Sequence, residues 1–288
     1  MVRALRDRRP VAYAGEPGAF SEDAVLAAFG DVGRTGLAGF REVFEAVEGG
    51  QAAAGVVPIE NLVGGTVLEN YDLLLAHDVE VVGEVVVHVE LCLAALPGER
   101  LETIERVYSH SQALSQAEGF LRTRAWTVLT TYNTAGAGKL IADRAERGSA
   151  ALLSPRAAAI FGLEVLADGV ADAPDNRTRF LVVRRSGEPN ALPPWQATAG
   201  PAARTVVVFG VRNEPGTLLR ALRAFAERGV NLSKLESRPS RERAWEYVFW
   251  VDVDAGTDEP ACASAIAELR EHATMVSVLG SYPRPADS

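Results

Sequence analysis

The run Asp175-Asn176-Arg177-Thr178-Arg179-Phe180 gathers more usable chemistry than any other stretch of this 288-residue chain. An amide, a hydroxyl and two guanidinium groups lead directly into the apolar run Phe180-Leu181-Val182-Val183. Guanidinium groups can grip carboxylates, while a hydroxyl and an amide direct hydrogen bonds. A polar loop at the end of a rigid strand is a frequent seat of chemistry. No metal-ligand cluster or nucleotide-binding loop lies near it. The expected ligand is a small acidic molecule, handled by hydrogen bonds and charge alone.

Four more polar segments sit where an apolar run gives way to a helical pattern. The segment from Pro58-Ile59-Glu60-Asn61 to Gly64-Gly65-Thr66-Val67 combines two glycines with a helix start, which suits close approach of an anion. The run Ser109-His110-Ser111-Gln112-Ala113-Leu114 offers His110, with Ser111 as the expected N-cap. The run Thr130-Thr131-Tyr132-Asn133-Thr134-Ala135 supplies hydroxyls, and residues 15–21 form the fourth case, with Ser21 as a helix cap. Each alone also reads as an ordinary turn, and a lone histidine is often structural. Together they imply one crevice at the carboxyl ends of the strands.

The elements that must position these groups are of two kinds. Up to about residue 185, short apolar runs at 11–14, 54–58, 107–109, 127–129 and 151–153 alternate with helical patterns from Ser21, Val67, Ser111, Thr134 and Pro155. That alternation predicts an α/β architecture with parallel sheets covered by helices. The apolar run 79–96 is too long for one ordinary strand and reads as the chain crossing into a second lobe, with 181–184 returning to the first. The turn-rich stretch 186–203 reads as a linker between a catalytic region at 10–185 and a second domain at 204–282. That second domain has the order βαββαβ: strands at 205–211, 230–236, 245–253 and 275–279, and helices at 215–228 and 261–272. This is the ferredoxin-like split motif. One face of its sheet is left without helices, which predicts self-association.

Composition narrows the partners. A net charge of −9 argues against nucleic acid or an anionic membrane, so an anionic substrate needs a local cationic pocket. Cys92 and Cys262, the two cysteines, read as small hydrophobes in a reducing compartment. The basic start lacks the apolar core of a signal peptide, and the 79–96 run carries Glu80, Glu84, His88 and Glu90. A cytoplasmic location is the expectation.

Taken together, the segments resemble prephenate dehydratase, with a C-terminal ACT regulatory domain. The carriers are Gly15-Glu16-Pro17-Gly18-Ala19-Phe20-Ser21, Pro58-Ile59-Glu60-Asn61, Ser109-His110, Gln112-Ala113-Leu114 and Asn176-Arg177-Thr178-Arg179-Phe180. In the second domain they are Gly216-Thr217-Leu218-Leu219 and Glu236-Ser237-Arg238-Pro239. The resemblance implies a bilobal, periplasmic-binding-protein-like catalytic region with its active site between the lobes. It also implies a phenylalanine-binding ACT domain and a homodimer or homotetramer. Three positions depart from the family pattern. Leu62 stands where a serine is usual, Ser111 where a proline is usual and Thr217 where an alanine is usual. The last places bulk and a hydroxyl beside the implied effector and bears on the effector's identity.

The reaction so implied needs no metal and no cofactor. Prephenate, a dianion with a ring hydroxyl, loses CO2 and hydroxide to leave an aromatic ring. Thr178 is the expected donor to the leaving hydroxyl, with His110 and Glu60 as alternative acids. Arg179 and the helix starts near Asn61 and Thr131 are expected at the carboxylates. Phe180 either walls the pocket or fills the core. Ser21, Asn176, Gln112, Thr131 and Thr134 complete the expected substrate contacts. The effector set is Asn213, Gly216, Thr217, Leu218, Leu219, Asn231, Leu232, Glu236, Ser237 and Arg238. Two alternatives remain open on sequence: the same chemistry on arogenate, or a non-catalytic cytoplasmic amino-acid sensor.

Overall fold

The computed structural model describes residues 9–188, 193, 195, 199–239 and 247–285. Much of the expected linker, and Trp245 at the head of an expected strand, lie outside these. The chain divides into two compact units, one made of Met1–Asp78 with Val85–Gln196, the other of Val79–Glu84 with Ala197–Ser288.

The first unit holds two sheets. Its first lobe runs β1 (Val11–Ala14), α1 (Phe20–Phe29), β2 (Arg34–Leu37), α2 (Phe40–Glu48), β3 (Ala54–Asn61), β4 (Gly65–Thr66), α3 (Leu68–Ala76) and β5 (Val79–His88), of which Val79–Glu84 belongs to the second unit. The second lobe runs β6 (Cys92–Ala95), β7 (Arg106–Ser109), α4 (Ser111–Gln116), α5 (Glu118–Leu121), β8 (Thr127–Thr130), α6 (Thr134–Arg144), β9 (Ser149–Leu153), α7 (Pro155–Ile160) and β10 (Glu164–Ala167). β11 (Arg177–Arg185) then returns to the first sheet, whose order is β2-β1-β3-β11-β5. The second sheet has the order β10-β6-β9-β7-β8.

Both sheets are mixed, where alternation alone predicted parallel ones. β1 pairs β2 and β3 in parallel, and β7 pairs β8 and β9 in parallel. β11 runs antiparallel to β3, and β6 antiparallel to β9 and β10. The cause is the double crossing between lobes, since a strand arriving from the other lobe is free to enter in the opposite sense. The crossings lie side by side, with Val89 N–H donating to Asn176 O at 2.7 Å. Strands β6 and β9 of the second sheet are buried on both faces, and apart from Ser149 they are apolar at every position. Leu93, Ala95, Ala150 and Leu152 enter one core, and Cys92, Ala94, Ala151 and Leu153 the other.

Two expected caps are corrected. Ser21 lies inside α1, whose N-cap is Ala19 with no side-chain cap bond. There the Glu22 carboxylate reaches back to the Gly18 N–H at 2.7 Å. Ser111 is the first residue of α4, and His110 before it is the cap. Glu22 also joins the lobes, being paired with Arg34 at 2.6 Å and with Arg156 of α7, which holds Asp23 as well. Ser154, the N-cap of α7, donates its hydroxyl to Gly18 O at 3.0 Å. Gly18 has φ +87°, and a Cβ there would sit 2.6 Å from the Ala157 Cα, so only glycine fits.

The second unit contains β12 (Ala199–Val211), α8 (Thr217–Ala226), β13 (Leu232–Pro239), β14 (Tyr247–Val253), α9 (Pro260–His272) and β15 (Met275–Pro285). The sheet order β13-β14-β12-β15, antiparallel throughout, is the ferredoxin-like arrangement. Val207, Phe209, Phe249 and Val251 face both helices in one core with Ala221, Phe225 and Ile266. The helix-free face differs from expectation. Its Val206, Val208 and Trp250 are buried within one chain, so β14 is not the half-buried strand that its alternation predicted. Val79–Glu84 lies against this face. Glu84, fully buried, bonds Arg204 at 2.5 Å and accepts from the Tyr282 hydroxyl at 3.2 Å, and a Cβ on Gly280 would be 1.9 Å from Val81 O.

Two outcomes follow from these buried charges. Removing one partner of a buried ion pair strands the other charge. Arg204→Met is therefore expected to lower unfolding free energy by about 3–5 kcal/mol, and adding Glu84→Gln to recover part of it. Urea unfolding followed by circular dichroism measures both. For Glu22, burial raises the carboxyl pKa, but the Gly18 N–H and the Arg34 and Arg156 guanidiniums outweigh it, so the net shift is downward. A folded value below the ordinary 4.5 means that this contribution is complete above about that pH and is lost as pH falls through the folded value. Asp23, which shares Arg156, is pushed upward by burial. Comparison with Glu22→Gln isolates the Glu22 part: the variant is expected to be less stable at neutral pH and to lose less on acidification.

Candidate active site

A cleft of about 630 Å³ opens between the two lobes of the first unit. Its wall includes the starts of five helices: Ala19 and Phe20 of α1, Gly39 and Phe40 of α2, Val67 of α3, His110 of α4, and Asn133 and Thr134 of α6. The starts of α1, α2 and α3 carry no side-chain cap bond. Backbone N–H groups and the positive ends of helix dipoles thus converge on one space, an arrangement suited to carboxylates except at α2, whose start the Glu42 carboxylate already faces.

Which side chains of β3 and β11 face this space is decided by one bulge. β11 pairs β3 with Thr178 opposite Asn61, Arg179 opposite Glu60, and Phe180 opposite Pro58, so the register slips at Ile59. Alternation puts Thr178 and Phe180 on one face of β11 and Arg179 on the other. The extra residue in β3 restores parity, so Pro58 and Asn61 share a face although three positions apart. Pro58, Asn61, Thr178 and Phe180 all line the cleft, and Arg179 and Glu60 do not. Those two face away and pair with each other at 3.3 Å. The expectation of Arg179 at a substrate carboxylate, and of Glu60 as an acid, is corrected on this point. Phe180, 2% exposed, is both wall and core.

The Asn61 side chain is the hub. Its oxygen accepts from the N–H groups of Val63 at 3.0 Å and Gly64 at 2.6 Å, and from the Gln116 amide at 3.3 Å. Those donors fix which end is oxygen. The amide nitrogen then donates to Asn176 Oδ1 and to Thr178 Oγ1, each at 2.8 Å. A threonine hydroxyl has one proton to give. With its oxygen accepting from Asn61, and no acceptor for its own proton among the described residues, Thr178 presents an O–H donor to the cleft. Asn176, 1% exposed, stands behind Asn61 and not on the wall.

The second lobe completes the wall. His110 Nδ1 accepts from the Gln112 N–H at 3.3 Å, which leaves Nε2 as the proton-bearing nitrogen. Gln112 lies so close to Gly64 that a Cβ there would be 1.7 Å from its Nε2. Thr134 and Ser21 line the cleft. Thr131 does not; its hydroxyl donates to Asn133 O at 3.0 Å and supports the start of α6. Sequence reasoning did not find Gln116, Asn133, Arg41, Glu42 or Glu69. The last four line the cleft. For Asn133 the signal was present, as an Asn-Thr pair ahead of a helical pattern. Arg41 and Glu42 lie on α2, a helix not read from the sequence.

In the second unit, Gly216 is the N-cap of α8 with φ +82°, beside exposed Asn213 and Leu219. The Thr217 hydroxyl donates to Arg212 O at 2.7 Å and Glu214 O at 2.9 Å, so it is spent inside the loop. Leu218 packs partly into the core. β12 ends at Val211 beside Tyr247 and Pro239, which brings the 213–219 loop and Glu236, Ser237 and Arg238 toward one end of the sheet. Asn231, bonded to Asp254 at 2.7 Å, and Leu232, paired with Val253, lie at the opposite end. One ligand cannot touch both groups within a single copy.

Comparison with known proteins agrees with this architecture. The prephenate dehydratase family model matches residues 11–188, and the ACT domain model matches residues 205–271. Arogenate dehydratase 5 of Arabidopsis thaliana, a chloroplastic protein, is 40% identical over 291 residues, covering 95% of this chain and 67% of its own length. The crystal structure of prephenate dehydratase from Arthrobacter aurescens in complex with L-Phe aligns with TM-score 0.84 and 33% identity, over 96% of this chain and 92% of that one. A protein described as a novel type of quorum-quenching acylase aligns with TM-score 0.86 and 32% identity, over 97% and 99%. With its catalytic region and its C-terminal domain matched in that order, the chain belongs to the prephenate dehydratase family.

Proposed function

We propose that the protein catalyses the decarboxylating dehydration of prephenate to phenylpyruvate, with Thr178 as donor to the departing hydroxyl. The observation that carries this reading is the Asn61–Thr178 bond, which turns the threonine proton toward a cleft ringed by helix starts. The ring carbon–carboxylate bond breaks and releases CO2, and its electron pair enters the ring. The carbon–oxygen bond breaks at the far side, and its pair leaves with the hydroxyl as hydroxide, which takes a proton from solvent or from His110. Threonine is too weak an acid to transfer its own proton. Its help is a hydrogen bond that strengthens as charge develops on the leaving oxygen. The helix starts and Gln112 orient the dianion, and Phe180 walls off the aromatising ring.

The same bond speaks against acyl transfer through Thr178. A nucleophile needs a base to take its proton, whereas Asn61 donates one toward it. A second reading, arogenate as substrate, is favoured by the carboxylates Glu42 and Glu69 on the cleft wall, since arogenate carries an ammonium where prephenate has a keto group.

Control by an amino acid, phenylalanine first, is the second part of the proposal. It is supported by the ACT domain, by the exposed Gly216 helix start and by the L-Phe held in the Arthrobacter aurescens relative. Assembly into dimers or tetramers belongs to this reading, because the two loop groups could meet one ligand only across two copies.

Two measurements test it. Purified protein is assayed with prephenate, following phenylpyruvate absorbance, with arogenate in parallel. Thr178→Val keeps the shape and removes the donor, and turnover is expected to fall by about 10²-fold or more; near wild-type turnover would sink the assignment of Thr178. For control, removal of the ACT domain is a poor probe, because Val79–Glu84 packs with that unit. Gly216→Val is better: at φ +82° the branched side chain blocks approach to the helix start. Calorimetric titration is expected to show phenylalanine binding to the wild type and not to the variant. Undiminished binding by the variant would place the effector elsewhere.

A further inference from the structure

We infer that Arg41 and Glu42, consecutive in the first turn of α2, read the three-carbon arm of the substrate, Arg41 by its carboxylate and Glu42 by the group at the next carbon. The inference rests on the dehydratase reading and adds to it the residues that set substrate choice. Arg41 is the arginine among the cleft-lining residues. The arginines of the 175–180 run are engaged elsewhere, Arg177 with Asp175 at 2.7 Å and Arg179 with Glu60 at 3.3 Å. Arg34, nearby, is held by Glu22 at 2.6 Å and Asp31 at 2.9 Å. Arg41 and Glu42 are both exposed on the wall, and neither side chain has a hydrogen bond or ion pair among the described residues. They do not satisfy each other, because successive positions of a helix do not face one another. A cation and an anion thus stand side by side, each open to a ligand.

Their surroundings separate the roles. The Glu42 carboxylate folds back over the start of α2, with Oε2 2.9 Å from where a Cβ on Gly39 would be. The positive end of α2 is therefore already faced by an anion. A further carboxylate placed there would be repelled, and an ammonium would be drawn in. Arg41 is left as the fork for the arm's carboxylate. An amino-acid arm carries both a carboxylate and an ammonium and matches the pair. A pyruvyl arm carries only the carboxylate and matches Arg41 alone. Glu42 is then the residue that admits the amino-acid form of the substrate alongside the keto form.

The test is steady-state kinetics of the full chain with prephenate and arogenate, using Arg41→Ala, Glu42→Gln and Glu69→Gln. Arg41→Ala is expected to raise KM for both compounds by about ten-fold or more, as for loss of a charge-assisted pair, with a smaller change in kcat. Glu42→Gln, which keeps size and removes charge, is expected to lower the arogenate-to-prephenate ratio of kcat/KM about ten-fold. An unchanged ratio in Glu42→Gln, or a fall seen in Glu69→Gln instead, would overturn the role given to Glu42. Unchanged KM in Arg41→Ala would overturn that of Arg41. A wild-type protein that turns over neither compound would instead overturn the dehydratase reading beneath both.

Discussion

One side-chain amide holds this site together. Asn61 uses its oxygen to close the turn after β3, through the N–H groups of Val63 and Gly64, and its nitrogen to fix Thr178 and Asn176. Because the oxygen is claimed by donors, the nitrogen has one direction left, and the proton of Thr178 is committed to the cleft. The bulge at Ile59 is what places Asn61 there at all. Without that extra residue, alternation would turn Asn61 away and present Glu60, a carboxylate facing an anionic substrate. A single inserted residue thus decides both the geometry and the sign of charge at the reacting centre.

Charge is managed the same way throughout the molecule. The protein carries a net −9 and, on the proposed reading, must attract a dianion. Most arginines near the cleft are not free to do so: Arg34 and Arg156 clamp Glu22 and Asp23 between the lobes, and Arg179 faces away with Glu60. What remains is a set of helix starts, which attract anions without a mobile cation, together with Arg41. Paired arginines serve the frame and unpaired backbone donors serve the ligand. The second unit follows the same rule, with Arg204 spent on buried Glu84.

Much of this was legible in the sequence. Polar runs at strand ends marked Asn61, His110, Gln112, Thr134 and Thr178, and the structure brings all of them to one wall. The βαββαβ order gave the second domain, because its helices carry clear one-sided apolar stripes. The failures share a cause in contacts distant along the chain. Arg179 and Glu60 were misplaced because alternation can be read from sequence, whereas a bulge depends on the partner strand. Serine's preference for the N-cap points to Ser21 and Ser111, but Glu22 and His110 supply the bonds there. The antiparallel entry of β11 and the covering of the helix-free face by Val79–Glu84 were equally invisible, since neither leaves a local periodic trace. Arg41 is a different case: its helix carries a local i, i+3, i+4, i+7 stripe in Phe40, Val43, Phe44 and Val47, so this element was legible in the sequence.

The central claim is that Asn61 acts on the chemistry through Thr178. A double-mutant cycle on kcat with prephenate tests it directly, using Asn61→Ala and Thr178→Val singly and together. Alanine removes the donor to Thr178 without placing a new charge before an anionic substrate. If the two residues work as one unit, the double variant is no slower than Thr178→Val alone. Losses that simply multiply would show that Asn61 and Thr178 act independently and would contradict the account.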